Sequence, residues 1–220
     1  MPDRQDILNE VAAAILARPS APVLKVGIDG VDGAGKTTLA DELACVLAAA
    51  GRPPIRASVD GFHQPKAIRY QLGRHSPQGY FLHSYNYAQL TAVLLDPLSP
   101  GGTGRYRTAV FDHATDAPLA LPEAHAVPGA VLVFDGIFLH RPELRAYWDY
   151  SIWLEVDFSI SIPRGAQRGA GSPDPAAAEN RRYVEGQTLY IRTCAPQRYA
   201  TLIINNEQLA APYIVAAPRT

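Results

Sequence analysis

The sequence predicts an α/β domain built on a mainly parallel β-sheet flanked by helices. Three observations predict it. Short apolar runs at 23–28, 131–134 and 151–156 suit strands buried on both faces. Strand and helix patterns alternate along the chain, as parallel strands require for their crossover connections. The glycine-rich and acidic residues gather just after the proposed strands, where such sheets bind ligands.

Each element follows from its pattern. Ile7, Leu8, Val11 and Ile15 fall at helical spacing, which predicts a short amphipathic helix packed on the domain. Residues 1–18 lack a basic start followed by a long apolar core, so they do not read as a signal peptide. The run 23–28 (VLKVGI) is the first strand. A helix at 35–50 follows, with Leu39, Leu43, Val46, Leu47 and Ala50 on its inner face and Gly51 ending it. Further strands are expected at 54–59, 131–134 (VLVF), 151–156 (SIWLEV) and 201–204 (TLII), the last of the sheet. Two stretches break the alternation. Residues 64–79, polar and carrying Arg69 and Arg74, read as an insertion over the sheet edge, and 165–175 is Gly/Pro-rich and flexible.

Composition excludes several classes. At 220 residues and 47% hydrophobic content the chain fills one well-buried domain and not two large ones. Twenty basic against 21 acidic side chains leave no net positive field for nucleic acid. No run of 18 apolar residues is present to span a membrane. Cys45 and Cys194 have no zinc-type spacing and read as reduced, partly buried thiols in helices of a cytoplasmic protein.

The strongest signal is GVDGAGKT at 30–37, which matches G-x-x-x-x-G-K-[ST] in full between a strand and a helix. Glycines let successive N–H groups point into one concavity, and the helix start adds its positive end. Lys36 reaches the β- and γ-phosphates, and Thr37 offers its hydroxyl to Mg²⁺. Gly30, Asp32, Gly33, Ala34, Gly35, Lys36, Thr37 and Thr38 form the nucleotide-binding set; Asp32 either shapes the loop or approaches the water shell of the metal. The expected architecture is therefore a P-loop NTPase fold, with ATP and Mg²⁺ as cofactors.

The acceptor side is read from acids and arginines. Asp60, after the second strand, is assigned as the base that takes a hydroxyl proton. Asp135, after VLVF, holds the metal or its water shell. His63 either contacts the acceptor or is a loop histidine. Arg164 and Arg168, four apart, share a helical face at the edge of the flexible stretch, with Arg181 and Arg182 beyond it. Such an arrangement suits a lid that closes guanidiniums over the transferring phosphoryl group.

The chain resembles the uridine kinase family, within the P-loop group that includes phosphoribulokinase and bacterial pantothenate kinase. The resemblance rests on GIDGVDGAGKTT (27–38), SVDGFH (58–63), GYFLHSYNYAQL (79–90), RYRTAVFDHATD (105–116), VLVFDGIFL (131–139) and the arginines before RRYVEGQTLY (181–190). It implies a single P-loop kinase domain over 1–220, with a lid at about 164–182 and an acceptor-binding insertion at about 61–116. It implies Asp60 as base, Arg164 and Arg168 as lid arginines, and an acceptor pocket drawing on His63, Tyr80, Tyr85, Asn86, Arg107, Phe111, Asp112 and Arg181. Phe111 stands where the family has a tyrosine. Asn86 stands where a carboxylate would grip sugar hydroxyls; an amide hydrogen-bonds them without charge.

The expected activity is transfer of the γ-phosphoryl group of ATP to a hydroxyl of a nucleoside or similar sugar-bearing metabolite, with pantothenate or another metabolite as the alternative. The expected partner is that small molecule, with no nucleic acid and no membrane, in a monomer or homo-oligomer. Two readings of other classes compete: an NTP-hydrolysing switch or binding module, and a nucleotide-binding protein that has lost catalysis. No switch motif supports the first, and intact Lys36, Thr37, Asp60 and Asp135 tell against the second.

Overall fold

The computed structural model describes residues 3–18, 22–169 and 171–215. One six-stranded sheet organises them. Its strands are β1 (Val23–Gly30), β2 (Pro54–Ser58), β3 (Ala130–Asp135), β4 (Tyr150–Glu155), β5 (Leu202–Asn205) and β6 (Tyr213–Val215), in the order β6-β5-β4-β1-β3-β2. All neighbours run parallel except β6, which is antiparallel to β5. The α/β architecture expected from the sequence is present. The 201–204 strand is not the last, however: a short edge strand follows it. Its three residues are half-buried or exposed, too short and mixed a run to stand out by pattern.

The central strands are apolar because both faces are covered. Every residue of β1 and β3 is buried. The helices covering them include α1 (Arg4–Leu16) and α2 (Lys36–Ala49), then α3 (Pro77–His83), α4 (Phe158–Gln167) and α5 (Arg181–Cys194). α1 buries Ile7, Leu8, Val11 and Ile15 and opens with a capping box between Asp3 and Asp6. α2 buries Leu39, Leu43 and Leu47; Val46 is half-buried and Ala50 is exposed at the C-cap, so its inner face is narrower than the periodicity implied. Cys45 is exposed on the outer side of α2, while Cys194 is buried, so the two thiols are not equivalent. No described helix is long and apolar enough to cross a membrane.

Two boundaries matter for the site. β2 ends at Ser58, and Val59–Phe62 turn as a 3₁₀ helix capped by the Ser58 hydroxyl, so Asp60 sits on that turn rather than at a strand end. α4 continues through Gln167, so the first residues of the stretch expected to be flexible are helical; Ala170 of that stretch lies outside the described residues. Register then aligns the chemistry: Ile28 and Ser58 both pair with Asp135 across adjacent strands. The phosphate loop, Asp60 and Asp135 thus leave the sheet at one level, at its carboxyl edge.

Candidate active site

The phosphate loop holds its curl through two left-handed glycines and a brace from the far end of the chain. Gly33 has φ +76° and Gly35 φ +93°, values that strain any residue with a Cβ. A Cβ at Gly33 would collide with the main-chain carbonyl of Ser161, and one at Gly35 would lie 2.7 Å from Asn206 Nδ2. Asn206 Nδ2 donates to Ala34 O at 2.7 Å, and Arg4 Nη1 donates to Asn206 Oδ1 at 3.3 Å. Lys36 Nζ folds back over the loop, donating to Gly30 O at 3.0 Å and Val31 O at 2.9 Å. Thr38 is exposed on the first turn of α2.

Behind the loop stands a fixed hydroxyl–carboxylate pair. Thr37 Oγ1 donates to Asp135 Oδ2 at 2.7 Å. The other Asp135 oxygen accepts from Arg56 Nη2 at 2.9 Å, and Arg56 is itself held by Asp41 at 2.8 Å. The side chain of Asp135 is 3% exposed, so its orientation is set by these two donors.

Across from this pair lies Asp60, exposed, with Tyr85 donating from its hydroxyl to Oδ1 at 3.4 Å, a long contact. His63 Nδ1 lies 2.9 Å from Asp60 O, and its ring packs 4.6 Å from that of Tyr85 and 4.9 Å from that of His113. Burial pushes His63 below its ordinary value; the Asp60 carbonyl and charge oppose this, while His113 and Arg69 add to it. Asp32 is clamped by neutral donors: Tyr80 OH to Oδ2 at 2.7 Å and Gln187 Nε2 to the same oxygen at 3.1 Å. The Asp32 N–H returns a hydrogen bond to Gln187 Oε1 at 2.6 Å. Burial, with the charge of Asp32, raises Tyr80 well above the usual phenol range, and burial, with the charges of Asp60 and then Asp32, does the same for Tyr85.

The loop, Thr37, Asp135, Asp60, Asp32 and Tyr85 line one cavity of about 640 Å³, a size that holds a nucleotide with a small second molecule, while His63, Tyr80, Gln187 and Arg56 stand behind its wall. Of the residues expected from the sequence it brings together Asp32, Gly33, Gly35, Lys36, Thr37, Asp60, Tyr85, Asp135 and Arg168. Others sit elsewhere. Arg164 donates to the main-chain oxygens of Asn206 and Glu207, anchoring α4 to the loop after β5. Arg181 is exposed and pairs with Glu185 at 2.8 Å, one turn along α5. Asn86 Oδ1 caps a short helix by accepting from Gln89 N. Arg107 is exposed, Phe111 is buried, and Asp112 accepts from Ala114 N at 2.9 Å and Thr115 Oγ1 at 2.7 Å in its own turn. Arg182, beside Arg181, is buried and donates to the carbonyls of Gly73, Arg74 and Ser76, tying α5 to the insertion. Arg56, Gln187 and Asn206 were not expected. Arg56 carried a signal, a cation inside a strand beside the Asp135 strand; Gln187 and Asn206 carried none.

A second polar cluster lies beneath the loop. Asp29, the residue before Gly30, is 0% exposed and accepts through Oδ2 from the Tyr190 hydroxyl, His140 N and His140 Nδ1. Because a carboxylate only accepts, Nδ1 carries the hydrogen, and Nε2 accepts from Ser151 Oγ at 3.0 Å. This Ser–His–Asp row is sealed from solvent, His140 being 1% exposed, and no substrate reaches it. It joins β1, β4, α5 and the loop after β3. Tyr190→Phe keeps the ring packing and removes one donor from Asp29, and is expected to lower stability by about 1–2 kcal/mol. A urea midpoint equal to that of the wild type would show the hydroxyl to be dispensable.

The donor set fits a magnesium nucleotide. Thr37 and Asp135 offer hard oxygens, and Mg²⁺ is usually held by one or two protein oxygens with phosphates and water completing its shell. The described residues contain no cluster of three or more His, Cys, Asp or Glu that could hold a metal ion. Ser161, on the cavity wall beside Gly33, has a buried Oγ without a partner among the described residues, a spare donor on the phosphate side.

Comparison with known proteins agrees. The model of the phosphoribulokinase/uridine kinase family matches residues 25–172, more than half of the chain. No protein of curated function matches the sequence. Among solved structures, a possible uridine kinase from Bacillus stearothermophilus is 24% identical with TM-score 0.72, over 90% of this chain and 97% of that one. A candidate fructose transport system kinase from Silicibacter sp. TM1040 is 24% identical with TM-score 0.67, over 85% and 94%. A D-glycerate 3-kinase from Cryptococcus neoformans is 13% identical with TM-score 0.58, over 95% and 99%. At these identities the structures share a fold. The family match goes further: this chain belongs to the phosphoribulokinase/uridine kinase family of P-loop kinases that act on small metabolites.

Proposed function

We propose that the protein transfers the γ-phosphoryl group of ATP to a hydroxyl of a nucleoside or similar sugar-bearing metabolite. The observation that carries this reading is the placement of Asp60 on the same cavity as Lys36, Thr37 and Asp135, with Tyr85 directed at its carboxylate. A nucleotide hydrolase has no need of a separate hydroxyl-facing carboxylate beside an acceptor insertion.

The loop amides and Lys36 bind the phosphates, Lys36 exchanging its contacts with Gly30 O and Val31 O for phosphate oxygens. Thr37 and Asp135 would hold Mg²⁺ or its water shell, and the metal would supply charge neutralisation at the transferring phosphates. Asp60 accepts the proton of the acceptor hydroxyl as that oxygen attacks γ-phosphorus. The bond to the β–γ bridging oxygen breaks, ADP leaves, and Asp60 releases its proton to water. Arg168, on the cavity wall, neutralises the transferring group, while Arg164 anchors the lid helix it stands on. The lid spans about 164–182 and excludes water when closed.

The test is coupled ADP release with MgATP against uridine, cytidine, other nucleosides, free sugars and pantothenate. Acceptor-dependent turnover above the hydrolysis baseline, with a phosphorylated product in the mass spectrum, is the expected result. Hydrolysis unaffected by every acceptor would refute the reading.

A further inference from the structure

The charges facing the acceptor narrow its chemistry. Among the described residues the cavity wall carries two cations, and both belong to the nucleotide side: Lys36 in the loop and Arg168 at the end of α4. It carries three carboxylates, Asp32, Asp60 and Asp135. Asp135 is neutralised by Arg56 at 2.9 Å. Asp32 and Asp60 form no ion pair among the described residues; their partners are neutral, Tyr80 and Gln187 for Asp32 and Tyr85 for Asp60. Neutral donors fix a carboxylate in place without cancelling its charge. Tyr80 stands on α3, so its hydrogen bond ties the Asp32 carboxylate to the acceptor insertion. Tyr85 donates to Asp60 at 3.4 Å, and Asp32, Asp60 and Tyr85 line the same cavity.

None of the basic residues of the insertion, Lys66, Arg69, Arg74, Arg105 or Arg107, lines the cavity. Arg69 is paired with Asp116 at 2.9 Å. Arg182 is spent on main-chain carbonyls and lies over the Tyr70 and Tyr80 rings. His63, held below its ordinary value by burial, stays neutral at neutral pH. The acceptor end therefore presents two carboxylates with no ion-pair partner among the described residues and the Tyr85 phenol. That surface suits hydroxyls and repels a carboxylate or phosphate.

Resting on the kinase reading above, we propose that the acceptor is an uncharged polyhydroxyl compound, and that Asp32 is the specificity-determining residue that excludes acceptors carrying a carboxylate or phosphate. The fold does not decide this point, since the D-glycerate 3-kinase that shares it is named for a carboxylate acceptor. The unneutralised carboxylate in this chain's own phosphate loop decides it. Asp32 acts by rejecting the wrong charge, which is discrimination by an unfavourable contact.

The experiment uses acceptor pairs that differ in charge: ribose with ribose 5-phosphate, glycerol with D-glycerate, and pantothenol with pantothenate. kcat/KM is measured for each member by ADP release, at low and high salt. The wild type is expected to favour the neutral member of each reactive pair at least tenfold, with the gap shrinking as salt screens the carboxylates. Asp32→Asn should narrow the neutral-to-anionic ratio at least fivefold, through KM of the anionic member, and Asp32→Glu, which keeps the charge, should preserve it. The ratio within each variant is read, so a general loss of rate does not obscure it; protection by ADP in thermal unfolding confirms that each variant retains its loop. Equal or greater turnover of the anionic members by the wild type overturns the proposal, as does a ratio unchanged in Asp32→Asn. Absence of acceptor-dependent turnover in both series and with the nucleosides of the panel above overturns the kinase reading itself, and this inference with it.

Discussion

Asp60→Asn is expected to lower kcat by about 10²–10⁴-fold while leaving the affinity for ATP within about twofold of the wild type, because only proton transfer from the acceptor is lost. The substitution keeps size and keeps an oxygen able to accept from the Tyr85 hydroxyl, which lies 3.4 Å from Asp60 Oδ1. Asp60 is exposed on its 3₁₀ turn and forms no ion pair among the described residues, so the fold has little to lose. The measurement is steady-state kinetics with the best acceptor, beside ADP binding by calorimetry. Loss of rate with intact nucleotide binding identifies the base. If kcat falls less than fivefold, the proton leaves by another route and Asp60 serves only to position the acceptor. Tyr85→Phe separates the two roles further: it removes the hydroxyl contact and leaves the carboxylate, so a small loss in kcat with a larger change in acceptor KM is expected.

The sequence made the strand-and-loop frame legible because periodicity and glycine spacing are local properties. β1, β3 and β4 are fully or almost fully buried, and their apolar runs say so directly. The phosphate loop declares itself because φ values of +76° and +93° at Gly33 and Gly35 demand glycine at a fixed spacing. The acceptor side was less legible. Arg107, Phe111, Asp112 and Asn86 carry polar or aromatic side chains in suggestive order, but which way each faces depends on turns that the pattern does not encode. Asn86 turned inward on its own backbone as a helix cap, an alternative open to any Asn before a short helix. The arginines illustrate the same limit. A spacing of four places Arg164 and Arg168 on one side of α4, yet the loop after β5 captures the first and leaves the second on the cavity wall. Asn206, about 170 residues beyond the loop it braces, joins it only through the sheet, and no local signal predicts that contact.

Asp135→Asn is expected to damage metal use and stability together, and the two losses have separate causes. The native carboxylate divides its oxygens, one accepting from Thr37 at 2.7 Å and the other from Arg56 at 2.9 Å. An amide has one acceptor oxygen and no charge, so with Oδ1 facing Arg56 the charge assistance is lost and Nδ2 donates to Thr37 Oγ1, reversing that hydrogen bond and taking up a lone pair the metal needs. Loss of a charge-assisted hydrogen bond at a side chain only 3% exposed costs about 2 kcal/mol. For a chain of this size that is a fall in Tm of roughly 4–8 °C. Arg56 keeps Asp41 at 2.8 Å and the carbonyl of Val133, which limits the damage below that of a stranded buried charge. Separately, the Mg²⁺ concentration for half-maximal activity should rise roughly 10- to 100-fold, as when a group that orients a metal ligand is lost. Arg56→Met distinguishes the causes. It breaks the same ion pair but leaves the carboxylate and its contact with Thr37, so stability should fall while the Mg²⁺ requirement stays near that of the wild type or eases. An Asp135→Asn enzyme with reduced Tm and an unchanged Mg²⁺ requirement would make Asp135 a structural partner of Arg56 and leave Thr37 as the protein's contribution to the metal.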